Sequence, residues 1–229
     1  MKTGILYVVG SPIGNLGDLS YRAVETLSSV DLIAAEDTRV TSVLLKKYSI
    51  NKKCISYHEK NENFKFSKII DLLQEGANIA LISDAGTPCL SDPGYRVVNA
   101  ARKEAVEVIS IPGTSSITSA LSISGLPSDH FYFEGFLPKK KGRKTRLKFL
   151  SALDCSVVIF ESPNRIIRTL NDIMECFGNR AVSICREITK MYEENYFGYL
   201  EEIMNRLSAY EKIKGEFVLI IGKKGYKID

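Results

Sequence analysis

The chain has 229 residues, 45% of them hydrophobic, and a formal net charge of +4. That is enough apolar material for one large core or two small ones, while no apolar run approaches the roughly 18 residues that a membrane span needs. Five scattered cysteines without a C-x-x-C pair, with only His58 and His130, argue against a disulfide framework or a zinc site.

The N-terminal stretch is too short and too soon broken by Gly10 and Pro12 to be a signal peptide, so the chain reads as cytoplasmic. A strand is predicted over Gly4–Val9, followed by the loop Gly10–Asp18 (GSPIGNLGD). A helix over Asp18–Ser28 follows, with Leu19, Ala23, Val24 and Leu27 at helical spacing and Asp18 placed to cap its start. Strands over Asp31–Ala35, Cys54–Tyr57, Ala77–Ser83 and Val106–Ile111 alternate with helices over Thr38–Tyr48, Asn63–Glu75 and Pro93–Lys103. Alternation of this kind implies a mainly parallel sheet covered on both faces.

The second half reads differently. A helix over Ser115–Ser124 ends at Gly125-Leu126-Pro127, and an aromatic strand follows from Phe131 to Phe136. A basic helix, a strand over Ser156–Glu161, a helix over Arg165–Phe177 and a strand over Ala181–Arg186 come next. Tyr196–Leu200 is short and extended, Glu201–Tyr210 helical, and Glu216–Ile221 a closing strand. Short connections between strands suggest a mixed sheet, and a boundary near Pro112–Ser116 gives two α/β domains, 1–113 and 114–229. Cys155 and Cys185 lie in apolar runs and read as buried small hydrophobes.

Three loops rich in glycine and proline each follow a strand: Gly10–Asp18, Ser83–Gly94 (SDAGTPCLSDPG) and Pro112–Ser116 (PGTSS). Strand, loop and helix in that order build a crevice at the carboxyl ends of a sheet, and glycine lets backbone approach a ligand closely. The first loop is neither a Walker loop, since Asp18 and Leu19 follow Gly17, nor G-x-G-x-x-G. In the second, Asp92 and Pro93 read as the start of a helix and Asp84–Pro88 as a binding segment. Polar clusters follow other strands: Glu36–Arg39, Tyr57–Glu62 and Arg186–Lys190.

Charge is uneven. Residues 1–112 carry 13 basic and 13 acidic side chains, whereas 113–229 carry 18 and 14. Seven of the ten residues in Lys139–Lys148 are Lys or Arg, with no acidic residue among them and Gly142 as a flexible point. Uncompensated positive charge beside a crevice suits a phosphate backbone, and the candidate contacts are Lys139, Lys140, Lys141, Arg143, Lys144 and Arg146.

Taken in order, the segments 10–18, A-E-D-T-R (35–39), 83–94, 112–116, S-G-L-P (124–127) and F-E-G-F-L-P-K-K-K-G-R (133–143) make a series. It continues through E-S-P-N-R-I (161–166), R-E-I-T-K (186–190) and G-E-F-V-L-I-I-G (215–222). This series resembles the tetrapyrrole-methylase (class III) family of S-adenosylmethionine-dependent methyltransferases, nearly end to end. The resemblance implies two α/β domains with S-adenosylmethionine in the cleft between them, usually in a homodimer. Within the family the match is to members that methylate the ribose 2′-oxygen of a cytidine in ribosomal RNA of the small subunit (16S rRNA). It also implies cofactor contacts at Pro12, at Asp84, Ala85, Gly86, Thr87 and Leu90, and at Ser115 and Ser116. Further implied contacts are Glu161, Arg186, Glu216, Phe217 and Val218.

Methyl transfer from a sulfonium is an in-line displacement that needs alignment and no metal. A ribose hydroxyl is a poor nucleophile and needs a base or a cation nearby. By their place after strands, Asp37 or Glu187 is the expected proton acceptor, and Arg39 or Lys190 the expected stabilising charge. Two other readings stay open: a class III methyltransferase for a small molecule or protein, of precorrin or diphthamide type, and a non-catalytic RNA-binding scaffold.

Overall fold

A computed structural model describes residues 3–58 and 61–228, so Glu59 and Lys60 of the polar cluster after the third strand lie outside the described residues. The chain divides into two compact units, Met1–Ser115 and Ser116–Asp229.

In the first unit the described strands are β1 (Ile5–Val9), β2 (Leu32–Ala35), β3 (Cys54–Ser56), β4 (Ile79–Ile82) and β5 (Glu107–Ile111). They form a five-stranded sheet in the order β3-β2-β4-β1-β5, and every pairing is parallel. Side chains of a strand alternate between faces, and here both faces are apolar. Ala34, Ile79 and Leu81 join one buried cluster with α3 (Glu62–Gln74) and α4 (Tyr95–Lys103). Ile33, Ala35, Ala80 and Ile82 join another with α1 (Tyr21–Ser29) and α2 (Thr38–Lys47). This explains why β2 and β4 read as unbroken apolar runs.

The second unit holds α5 (Ser116–Ile123), β6 (Phe131–Phe136), α6 (Arg143–Ser151), β7 (Ser156–Glu161), α7 (Ile166–Phe177), β8 (Ala181–Arg186), β9 (Glu194–Tyr199), α8 (Leu200–Ser208) and β10 (Phe217–Ile221). Its sheet runs β6-β7-β10-β8-β9, with β6 and β7 parallel and the remaining neighbours antiparallel. Ile166, Leu170, Ile173 and Phe177 on α7, and Leu200, Ile203 and Leu207 on α8, repeat at helical spacing. They pack on Val157, Ile159, Val182, Ile184 and Leu219.

Four local expectations are corrected. Ser20, not Asp18, caps α1, its hydroxyl accepting from the Ala23 amide at 3.1 Å, because Asp18 is taken up in a short 3-10 turn over Leu16–Asp18. Asp92 and Pro93 do not start α4: the helix begins at Tyr95 after Gly94, whose φ of 137° no other residue adopts easily. A β-carbon there would meet Cys89 Sγ at 2.7 Å. The basic helix begins only at Arg143, after Gly142 in the left-handed region, so Lys139–Lys141 form a bend and turn instead of a helix face. Cys155 precedes β7 and is only partly buried, whereas Cys185 is buried.

Candidate functional site

Strand order decides which loops of the first unit meet. β4, β1 and β5 are neighbours, so the three glycine-rich loops leave the same edge side by side. They are stitched by main chain. The Ser11 amide donates to Gly86 O at 2.9 Å and the Gly86 amide returns to Ser11 O at 3.2 Å. The Ser11 hydroxyl donates to Ser83 O and Gly86 O at 3.0 and 3.2 Å, and Thr114 Oγ1 donates to Ser11 O at 2.6 Å. Gly10 and Gly113 cross in contact: a β-carbon on Gly113 would lie 2.6 Å from Gly10 O. Sequence reasoning singled out the loops but not Ser11 and Thr114, which join them; their place inside G-S-P and P-G-T was the only signal.

Next to β4 lies β2, and its C-terminal residues add carboxylates. The Asp37 amide donates to Asp84 Oδ1 at 3.0 Å, and the Asp84 amide to Glu36 Oε2 at 3.3 Å. Asp37 caps α2, and its carboxylate accepts from the Arg39 amide at 2.8 Å and from Arg39 Nε at 3.0 Å. Hydrogen bonds from the Arg39 side chain hold the Asp37 carboxyl at about 2. A carboxylate so weakly basic has little drive to take a proton from a hydroxyl. Burial raises the pKa of Glu36 and of Asp84. Burial, with Glu36 and Asp84 as like-charged neighbours, pushes Asp92 up to about 6.

Of the remaining first-unit candidates, Pro12 and Gly86 are buried, Thr87 and Ser115 partly so, and Ala85 is exposed. Leu90 leaves 48% of its surface exposed.

The second unit also gathers its candidates at one sheet end. Phe217 at the start of β10 pairs with Glu161 at the end of β7 and with Arg186 at the end of β8. Past β8 the chain turns sharply, with Glu187 and Thr189 at positive φ, 51° and 66°. For a β-branched residue such as Thr189 that conformation is a real outlier. Lys190 Nζ donates to Glu187 Oε1 and to Glu216 Oε2, both at 2.9 Å, and the Glu216 amide donates to Glu187 Oε1 at 2.9 Å. Burial raises the Glu187 pKa, but the Glu216 amide and the Lys190 ammonium outweigh it and the net shift is downward. For Lys190 burial works against the charge, yet Glu187 and Glu216 raise its pKa overall. The cluster therefore presents a firm cation beside an ionised carboxylate.

Other candidates are committed within this unit. Arg186 pairs with Glu194 at 2.7 Å and donates Nε to Lys214 O at 2.6 Å. Phe217 and Val218 are buried inside the ladder. Glu161 is 1% exposed, and its oxygens accept from the Ser162 amide at 2.8 Å and from Thr169 Oγ1 at 2.6 Å. The basic run also divides. Lys139, Lys140, Lys141 and Lys144 are exposed. Arg143 is 4% exposed and pairs with Asp172 at 2.6 Å, so burial removes it from direct contact with a partner. Arg146 grips Glu134 at 2.8 Å and lies over the rings of Tyr132 and Phe149. The acidic partners absent from the run sit on α7 and β6, where sequence spacing gave no sign of them.

A parallel α/β unit with three joined loops at its carboxyl edge, followed by a mixed-sheet α/β unit, has the architecture in which ligands bind at the carboxyl ends of strands. Solved structures share it. Uroporphyrin-III-C-methyltransferase from Thermus thermophilus superposes with a TM-score of 0.66 at 18% identity, covering 96% of this chain and 94% of that one. A cobalt precorrin-4 methyltransferase gives 0.69 at 15%, covering 95% and 94%.

The family model for tetrapyrrole (corrin/porphyrin) methylases matches residues 5–204, and the chain belongs to that family. It is an S-adenosylmethionine-dependent methyltransferase. The chain is 47% identical to the ribosomal RNA small subunit methyltransferase I of Thermotoga maritima, over 96% of this chain and 99% of that protein. The proteins of the same name from Halalkalibacterium halodurans and Escherichia coli O157:H7 are 48% and 44% identical, over 99% and 98% of this chain and 78% and 79% of theirs.

The residues fit a cationic cofactor. Glu36, Asp84 and Asp92 are carboxylates whose ionised forms burial and mutual repulsion disfavour, so a nearby positive charge stabilises them. Asp18 Oδ2 in the first loop and Thr189 Oγ1 beside Lys190 are buried oxygens with no hydrogen-bond partner in the described structure, an arrangement that calls for an outside donor. Among the described residues no cluster of His, Cys, Asp and Glu is placed to hold a metal ion. None is needed for displacement at a sulfonium.

Proposed function

We propose that this protein methylates ribosomal RNA of the small subunit, at the ribose 2′-oxygen of a cytidine, and works in the cytoplasm as a homodimer. The observation that carries the reading is the likeness, over nearly the whole of this chain, to three proteins named ribosomal RNA small subunit methyltransferase I. The exposed lysines Lys139–Lys141 and Lys144 support it, since a tetrapyrrole or other small substrate gives them no task.

S-adenosylmethionine, when bound, supplies the methyl group on a sulfonium. Its holders in this reading are the first-unit loops, through Pro12, Asp84–Thr87, Leu90 and Ser115, with Ser116 and the strand ends at Arg186 and Glu216–Val218. Arg186, Phe217 and Val218 have committed side chains, so they contribute shape and main chain. Glu161, whose carboxylate is taken up by the Ser162 amide and Thr169, contributes main chain in the same way. Lys190 is the charge that stabilises the oxygen as its proton passes to solvent water and the methyl leaves the sulfur, and Glu187 positions Lys190. Asp37 and Arg39 neutralise one another and serve to organise the edge beside Asp84.

The test is transfer of labelled methyl from S-adenosylmethionine to small ribosomal subunits and to naked small-subunit RNA, with the labelled nucleoside identified after digestion. One labelled 2′-O-methylcytidine is expected. Label on a base, or only on small-molecule substrates, overturns the reading. Sedimentation at assay concentration checks the dimer.

A further inference from the structure

Four buried or half-buried side chains form one connected network in the second unit. Arg165 Nε lies 3.2 Å from Glu161 Oε1, Thr169 Oγ1 donates to Glu161 Oε2 at 2.6 Å, and Arg143 Nη2 donates to Thr169 Oγ1 at 2.8 Å. Arg143 Nε adds the pair with Asp172 at 2.6 Å. Burying charges in this way costs solvation, and the cost is offset only when every group is satisfied. Here the unused donors have a definite destination. Arg165 Nη2 donates to Leu137 O at 2.6 Å, and Arg143 Nη1 to Pro138 O at 3.2 Å. Those carbonyls belong to the two residues that immediately precede Lys139.

The other end of the segment is held as well. The Arg143 amide donates to Lys140 O at 3.3 Å, Gly142 turns in the left-handed region with φ of 82°, and the Leu137 side chain is buried. Between these anchors Lys139, Lys140 and Lys141 are exposed, and none of the three has an ion pair in the described structure. Just before them Phe136 leaves 56% of its surface exposed against the Phe160 ring.

We propose that Arg143 and Arg165 are positioning residues that hold Leu137–Gly142 as a preformed grip for RNA phosphates, with Glu161 as their buried anchor. The proposal rests on the RNA reading above. A guanidinium carries its five donors in a rigid planar fork, which joins a carboxylate or hydroxyl on one side to a backbone carbonyl on the other in a fixed geometry. Fixing the loop in advance lowers the ordering cost of binding. It also explains why one basic run contains an arginine that solvent does not reach.

The experiment uses the full chain and a transcript of small-subunit ribosomal RNA, with three variants: Arg165→Lys, the triple Lys139→Ser/Lys140→Ser/Lys141→Ser, and the two combined. Removing three phosphate contacts is expected to reduce the slope of log affinity against log salt by about 2 to 3. Arg165→Lys keeps the charge and is expected to weaken RNA binding about fivefold through lost preorganisation, with S-adenosylmethionine affinity unchanged. Because the arginine acts through the lysines, it is expected to add nothing in the triple-serine background.

Additive loss there, or full RNA affinity in Arg165→Lys alone while the triple variant is impaired, overturns the positioning role and leaves the RNA reading standing. An unaltered salt slope in the triple variant overturns the RNA reading of this segment, and the proposal with it. If Arg165→Lys does not fold, hydrogen exchange on the wild-type protein decides. Protection of the Arg143 amide, which donates to Lys140 O, supports a preformed grip, and its exchange at the rate of open chain refutes it.

Discussion

Lys190 and Glu187 are joined side chain to side chain at 2.9 Å across a turn in which Glu187 itself has positive φ. A strained backbone that brings a cation and a carboxylate together at a strand end is costly unless the arrangement is used. Lys190→Ala is expected to lower turnover about 100-fold under saturating RNA and S-adenosylmethionine, the scale for losing one preorganised electrostatic group. Glu187→Gln should lower turnover less, because Glu216 still holds Lys190. Cofactor affinity, measured by calorimetry, should change little in either. Turnover equal to wild type removes the substituted residue from the chemistry.

Asp92 sets a dependence on pH. Its folded-state pKa, about 6, is raised above the ordinary carboxyl value of 3.8 by burial and by Glu36 and Asp84. Between those two values the native state binds more protons than the unfolded chain, so this group's contribution to stability falls as pH rises through that window and is flat above it. Asp92→Asn removes the effect. Its melting temperature should exceed that of wild type near about pH 7, and the difference should vanish near about pH 4. Melting curves that shift in parallel at every pH mean that Asp92 does not titrate in this way.

The crossing of Gly10 and Gly113 admits no side chain. In Gly113→Ala the new β-carbon would sit 2.6 Å from Gly10 O, and that neighbour is backbone, which cannot swing aside. Overpacking of this sort costs about 1–3 kcal/mol, and here it also separates two loops proposed to hold S-adenosylmethionine. A lower denaturant midpoint together with at least tenfold weaker cofactor binding is expected, tenfold being about 1.4 kcal/mol. A variant of unchanged stability and affinity shows that the loops tolerate separation and that the close approach has no function.

How far these features were legible in the sequence depended on whether the cause was local. Strands that alternate with helices show the doubly covered sheet, and glycine with proline after β1, β4 and β5 shows the loops, because both follow from neighbours in the chain. What the sequence did not show was long-range pairing. Arg143 looked like an unpaired charge since its partner Asp172 lies 29 residues away on another helix. Asp92 looked like a cap because Asp-Pro is a common helix start, yet packing of Gly94 against Cys89 and Leu81 moved the start to Tyr95. Lys190 and Glu187 lie three residues apart in one segment, whereas Glu216, the third member of their cluster, is brought to them by the antiparallel pairing of β8 and β10.

Ser11 offers the sharpest check on the joined loops. Its side chain is 2% exposed, and its hydroxyl is the donor to Ser83 O and Gly86 O in the second loop, while its own carbonyl accepts from Thr114 in the third. Ser11→Ala keeps the main-chain bridge to Gly86 but takes a hydrogen bond from buried carbonyls, a loss of about 1–2 kcal/mol. Thr114→Val, a near-isosteric change, should cost a similar amount. Since both hydroxyls act on the same bridge, the double variant should lose less than the sum of the two single losses, by at least about 0.5 kcal/mol. Urea unfolding of the four proteins measures this directly. Strict additivity would mean that the first and third loops are held independently, and that Ser11 is not the point at which they meet.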